Sequence, residues 1–175
     1  MKIIAILASC FVFTCNVHAA PPEVVLIGHY SNLKISQSYD PHYLSGYGLD
    51  LYRKGSVVFG NIHIGIGSPE PAHATLYDVT FDASEKSISF KAKYSSGWQY
   101  SKETSAAGRE SRVLLTFSGR LTPNSVRGKF NIKDGYKLSA PGTNISVVMK
   151  KENNDYVEES FESWKASQDW LIVDW

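Results

Sequence analysis

Alternation of apolar and polar residues is the feature that most constrains what this chain can fold into. Tyr47, Leu49 and Leu51 alternate with Gly48, Asp50 and Tyr52, and Ile62, Ile64 and Ile66 alternate with Asn61, His63, Gly65 and Gly67. The pattern returns at Tyr77, Val79 and Phe81, and again at Ile88, Phe90, Ala92 and Tyr94. It continues at Val113, Leu115, Phe117 and Leu121, at Val126, Phe130 and Ile132, and at Ile145, Val147 and Met149. Successive side chains of a strand point to opposite faces, so each run has one apolar face and one mixed or polar face. That is the pattern of half-buried antiparallel strands.

Turn chemistry separates the runs. Lys54-Gly55, Asp82-Ala83-Ser84-Glu85, Thr122-Pro123-Asn124, Asp134-Gly135 and Pro141-Gly142 punctuate the series, as hairpin connections require. The expected fold class is therefore all-β, an antiparallel up-and-down β-barrel of about eight strands, because closure removes free sheet edges. Gly46, Gly48, Gly60, Gly65, Gly67, Gly119 and Gly128 fall inside the runs and are expected at bulges or sharp bends. Near the end the period changes: Val157, Phe161, Trp164 and Leu171 fall on a helical 3/4 spacing, with gaps of four, three and seven, and Asp155 precedes Glu158 by three. This predicts a C-terminal α-helix over about 156–170, packed on the barrel or plugging one end. Two loops stand out: 37–44, with Tyr39, Asp40, Pro41, His42 and Tyr43, and 95–110, with Trp98 and Tyr100. The second has the length of a lid, or of a plain hairpin excursion.

The first residues read as a secretory signal. Lys2 is followed by an apolar run over 3–14 and then by Val17-His18-Ala19, which places small or branched residues before a cleavage point. Cleavage is expected after Ala19, or else Ala20, leaving 20–175 as a single domain that is periplasmic or secreted. An apolar run of about a dozen residues is short of the roughly 20 that a membrane helix needs. Cys10 and Cys15 both lie in this segment, so the mature chain is expected to hold no disulfide and no thiolate metal site. Removing Lys2 leaves 17 basic residues against 17 acidic ones, a balance that gives no electrostatic reason to expect nucleic acid.

Gly28-His29-Tyr30-Ser31-Asn32, with Phe117-Ser118-Gly119-Arg120-Leu121 later, resembles the calycin group of lipocalin- and avidin-type barrels, and uncharacterised secreted bacterial proteins with the same opening. The resemblance implies an up-and-down barrel followed by a C-terminal helix, with Tyr30 as the aromatic that plugs the closed end. The chain departs from lipocalins in carrying tyrosine where they carry tryptophan and in lacking a C-terminal disulfide, and it shows no avidin-like set of biotin contacts. The likeness therefore bears on the fold more than on a ligand.

Residues for catalysis are sparse. His29, His42, His63 and His73 show no H-x-H, H-x-x-x-H or H-E-x-x-H spacing, so no metal site or cofactor is expected. No serine sits in a Gly-x-Ser-x-Gly elbow, Asp50, Asp78 and Asp82 fall on polar faces or in turns, and Gly65-Ile66-Gly67-Ser68 runs into Pro69 rather than a helix. Ten tyrosines, eight phenylalanines and four tryptophans suit both strands and an aromatic-lined pocket. The candidate ligand-binding residues are Tyr30, Tyr47, Tyr52, Tyr77, Trp98 and Arg112, the last as an anion contact. The expected function is an exported, non-catalytic barrel binding a small apolar or amphipathic ligand. One alternative is an envelope protein–protein interaction module with a filled barrel. Another is a small outer-membrane barrel, drawn from the terminal Leu171-Ile172-Val173-Asp174-Trp175. Asp169 and the short strands weigh against that reading.

Overall fold

A computed structural model describes residues 23–35, 43–100, 108–153, 161–162, 164–166 and 175. Twelve strands are described: β1 (Val24–Ser31), β2 (Lys34–Ile35), β3 (Leu44–Lys54), β4 (Val57–Ile66), β5 (Ala72–Thr75), β6 (Tyr77–Asp82), β7 (Ser87–Tyr94), β8 (Trp98–Gln99), β9 (Arg109–Glu110), β10 (Val113–Thr122), β11 (Ser125–Asp134) and β12 (Thr143–Lys151). The hairpin turns fall where turn chemistry placed them. Gly55 takes φ 61° between β3 and β4. Between β6 and β7, the Asp82 carboxylate accepts the Ser84 N–H at 2.8 Å and the Glu85 N–H at 3.0 Å, an Asx-type turn. The expected signal segment 1–19, His42 and most of the loop 37–44 lie outside the described residues.

The principal sheet runs in the order β5-β4-β3-β1-β12-β11-β10-β7-β6, with β2 added on β3, and its pairs are antiparallel. Its two outermost strands, β5 and β6, are consecutive in the chain and separated only by Leu76. The Leu76 N–H donates to the Gly60 carbonyl on β4 at 2.9 Å, and β4 comes to lie beside β6 and β5 beside β7. The sheet thus curls into a nearly closed antiparallel barrel. Gly60 also lets β4 run close against β3: a Cβ there would fall 1.8 Å from the Asp50 carbonyl oxygen.

Apolar residues of the alternating runs face inward and fill the interior. Phe90 and Phe117 stack at 4.9 Å, Phe117 meets Phe130 at 5.0 Å, and Tyr47 tilts onto Phe130 at 4.5 Å. Leu49, Leu51, Ile62, Leu115 and Met149 are fully buried around them. Each such side chain contributes roughly 1.5–3 kcal/mol by leaving water. A second apolar cluster lies on the outer side of the wall. Tyr52 stacks on Phe59 at 5.5 Å, and Phe59 meets Phe161 at 5.2 Å and Trp164 at 5.0 Å. Trp164 Nε1 donates to the Gly60 carbonyl at 3.1 Å. Residues 161–162 and 164–166 are helical, and the rest of the expected helix 156–170 lies outside the described residues. The helical residues pack against β3 and β4 from outside instead of plugging the barrel.

Three details differ from the alternation. The first strand begins at Val24, ahead of Gly28, although its opening run carries no alternation. Ala72–Thr75 forms a strand that its loop-like sequence conceals, pairing β4 through His63↔His73. At Asp78 the backbone adopts φ 50° and the register shifts between Tyr77 and Thr80. This bulge turns Tyr77 to the outside, away from Val79 and Phe81. Among the described residues, no helix is long and apolar enough to cross a membrane.

Candidate functional site

A cleft of about 330 Å³ opens at the barrel end formed by the β6–β7 and β10–β11 turns. Ile27, Phe81 and Leu121 give it apolar walls, Tyr30 is its most buried residue, and Lys86 and Lys151 bring cations to its edge. The placement follows from the strands. Tyr30 faces inward from β1, and Lys151 extends the inward series of Val147 and Met149 on β12. Gly28 leaves space for both, since a Cβ there would lie 3.0 Å from the Tyr30 ring and 3.0 Å from Lys151 Cε. Burial pushes the Tyr30 hydroxyl above its ordinary pKa, so it stays a neutral donor through the physiological range.

A second constellation lies on the outer wall of β1, β3, β4 and β5. His29 Nδ1 is 2.7 Å from Asp50 Oδ1, and His63 Nε2 is 2.6 Å from Asp50 Oδ2. His63 Nδ1 is 2.7 Å from His73 Nδ1, with the rings at 89°. Burial alone would raise the Asp50 carboxyl, but the hydrogen bonds from His63 and His29 and their charges outweigh it, and its pKa is lowered. An ionised Asp50 only accepts, so both imidazoles donate to it. His73 is lowered, first by burial and then by the neighbouring His63. Among the described residues, no three His, Cys, Asp or Glu side chains converge as a metal-binding group.

The candidate residues do not converge. Tyr30 lies in the cleft. Tyr47 is in the interior towards the opposite end, close to Tyr94, whose hydroxyl is pushed up to about 12 by burial and then by Tyr47. Tyr52 is outside, beneath Phe59. Tyr77 is outside, its ring 5.9 Å from Lys93 Nζ. Trp98 is 67% exposed on β8, in a short ladder with β9 that Ser111 ties down by accepting the Ser96 N–H at 2.6 Å. Residues 101–107 of that loop lie outside the described residues. The Arg112 guanidinium sits 4.8 Å from the Tyr136 ring and 6.0 Å from that of Trp175.

Sequence reasoning missed Lys86 and Lys151 at the cleft, and it weighed Asp50 and the histidines one at a time. Some of this was accessible. The Lys54-Gly55 turn sets a register in which His63 faces Gly48 and Asn61 faces Asp50, so Asp50 and His63 are diagonal neighbours on one face. The pairing of His29 with Asp50 and of His63 with His73 needed the tertiary fold. No protein-family model matches the chain, and no curated protein or solved structure matches it either.

Proposed function

We propose that the protein is an exported, non-catalytic barrel of calycin type that binds a small amphipathic ligand with an anionic head at its end cleft. The up-and-down order of the principal sheet, with β5 and β6 meeting at Leu76, supports that type. The observation that carries the reading is the combination of apolar walls with Lys86 and Lys151 at one opening. Apolar burial would hold a short chain, and the ammonium groups would orient a carboxylate or phosphate. The outer wall of β7, β10, β11 and β12 carries Lys and Arg while its larger apolar residues point inward, the reverse of what a lipid-embedded barrel requires.

The test is displacement of a fluorescent fatty-acid probe by dodecanoate and by dodecanol. Dodecanoate is expected to compete at least tenfold better. Lys151→Glu should abolish that preference, and Leu121→Trp, which fills the cleft, should abolish binding of both. Equal competition by acid and alcohol, or binding that survives Leu121→Trp, overturns the reading.

A second reading, a filled barrel working as an interaction module, is favoured by a different observation. The outward positions of β7, β10, β11 and β12 carry Lys91, Lys93, Arg120, Arg127, Lys129, Lys133 and Lys150 and no acidic residue. Such a wall fits an acidic protein partner. Capture of one acidic partner from envelope extract, lost in an Arg127→Glu/Lys129→Glu variant and weakened by salt, would support this reading. Capture unaffected by the double variant would remove it.

A further inference from the structure

The pair His63–His73 is not used by either reading. The two Nδ1 atoms face each other at 2.7 Å with the rings nearly perpendicular. They belong to register partners on β4 and β5, on the outer wall and away from the filled interior. Neutral imidazole nitrogens in this arrangement have two options: share one proton, or share one metal ion. The support behind His63 distinguishes this pair from a chance surface contact. Its other nitrogen, Nε2, is held by Asp50, and Asp50 is held in turn by His29. A carboxylate on the far nitrogen is the arrangement that fixes the tautomer and raises the basicity of a metal-bound histidine.

We propose that His63 and His73 form an open, two-histidine site for a divalent first-row ion of tetragonal preference, Cu(II) above Zn(II). The order follows from ligand chemistry: metal–imidazole bonds are about 2.0 Å long, so the pair, now 2.7 Å apart as a hydrogen bond, takes an ion once one ring turns, and copper leads the affinity order for nitrogen ligands among the divalent ions. Because no three protein ligands converge among the described residues, solvent would complete the coordination. Glu70, on the loop before β5, acts on the charge of His73 after Asp50 does.

Proton bookkeeping is simple. His63 keeps its Nε2 proton on Asp50 and offers the Nδ1 lone pair. His73 gives up the proton on Nδ1 and takes one on Nε2 from solvent, so the pair binds the ion with no net proton release. His73 is exposed, and its ring turns on binding so that its lone pair meets that of His63 at the ion.

The experiment titrates the full-length protein with Cu(II) buffered by glycine, read by calorimetry and by electron paramagnetic resonance. One equivalent is expected at high affinity, with hyperfine structure from two imidazole nitrogens. His73→Ala should weaken this site at least a hundredfold and remove one nitrogen from the spectrum. His63→Ala should do the same, and Asp50→Asn should weaken it about tenfold while retaining both nitrogens. Circular dichroism confirms that each variant folds. Should His63→Ala fail to fold, the exposed His73→Ala carries the test. Copper affinity and spectrum unchanged by His73→Ala, or Zn(II) bound more tightly than Cu(II), would overturn the proposal.

Discussion

The two halves of the barrel share one interior and differ in what they show to the outside. On β1, β3, β4 and β5 the outward face carries two partnered clusters: Asp50 accepts from His29 and His63, and Phe59, stacked on Tyr52, is roofed by Phe161 and Trp164. On β7, β10, β11 and β12 the outward side chains include seven cations and no acid, set among Ser, Thr and Asn with Leu114 and Val148; Lys91 pairs with Asp78 of β6. Like charges even face each other there, as at Arg120↔Arg127. A partly buried carboxylate must find donors to replace lost water, whereas an exposed lysine is solvated and tolerates a like neighbour at small cost. The comparison shows that inward alternation builds the barrel, while each outer wall is free to carry its own chemistry. One wall should respond to pH and packing changes, the other to salt.

The largest effect should come from the roofed wall. Phe59→Ala removes a fully buried ring in contact with three other aromatics and is expected to cost about 3–5 kcal/mol in urea unfolding. A loss below about 1 kcal/mol would mean that the outer cluster is not part of the cooperative fold, and the contrast between the walls would fail. Next is Asp50→Asn, expected to cost about 1–3 kcal/mol near neutral pH by breaking charge-assisted hydrogen bonds. Its sign with pH follows from linkage. The Asp50 pKa is lowered by folding, so its contribution is complete above the ordinary carboxylate value of 3.8 and is lost as pH falls through the lower folded value. Stability curves of wild type and variant should therefore run parallel at neutral pH and converge in acid. Parallel curves throughout would show that Asp50 is not coupled to its histidines.

On the cationic wall the effects shrink and change sign. Arg127→Glu places an acid opposite Arg120 and should stabilise by about 0.2–1 kcal/mol, a gain that salt reduces. Destabilisation beyond about 1 kcal/mol would show that Arg127 has a packing role there. The smallest effect is that of Lys129→Ala, expected within about 0.5 kcal/mol by thermal melting.

Much of the barrel was legible in the sequence, because a strand's faces follow from period-2 patterning and a hairpin's register follows from its turn. The inward sets on β7, β10, β11 and β12 are read directly from the alternation, and the turns at Gly55, Pro123 and Gly135 separate the strands they were expected to separate. The site was less legible. Of six candidate residues only Tyr30 reaches the cleft, since a list of aromatics says nothing about which share an opening. Tyr77 was lost to a one-residue bulge at Asp78, which reverses the face of everything before it.

What the sequence determined by itself was the local grammar: which residues alternate, where the chain turns, and that a 3/4 spacing follows the strands. The tertiary structure alone decided three further things. It brought β5 against β4, so that His73 meets His63. It brought β1 beside β3, so that His29 meets Asp50. It laid Phe161 and Trp164 over Phe59 rather than into the barrel. The physical reason is that alternation specifies the direction of a side chain relative to its own strand. Which distant strand lies alongside, and at what register, is set by how the whole interior packs.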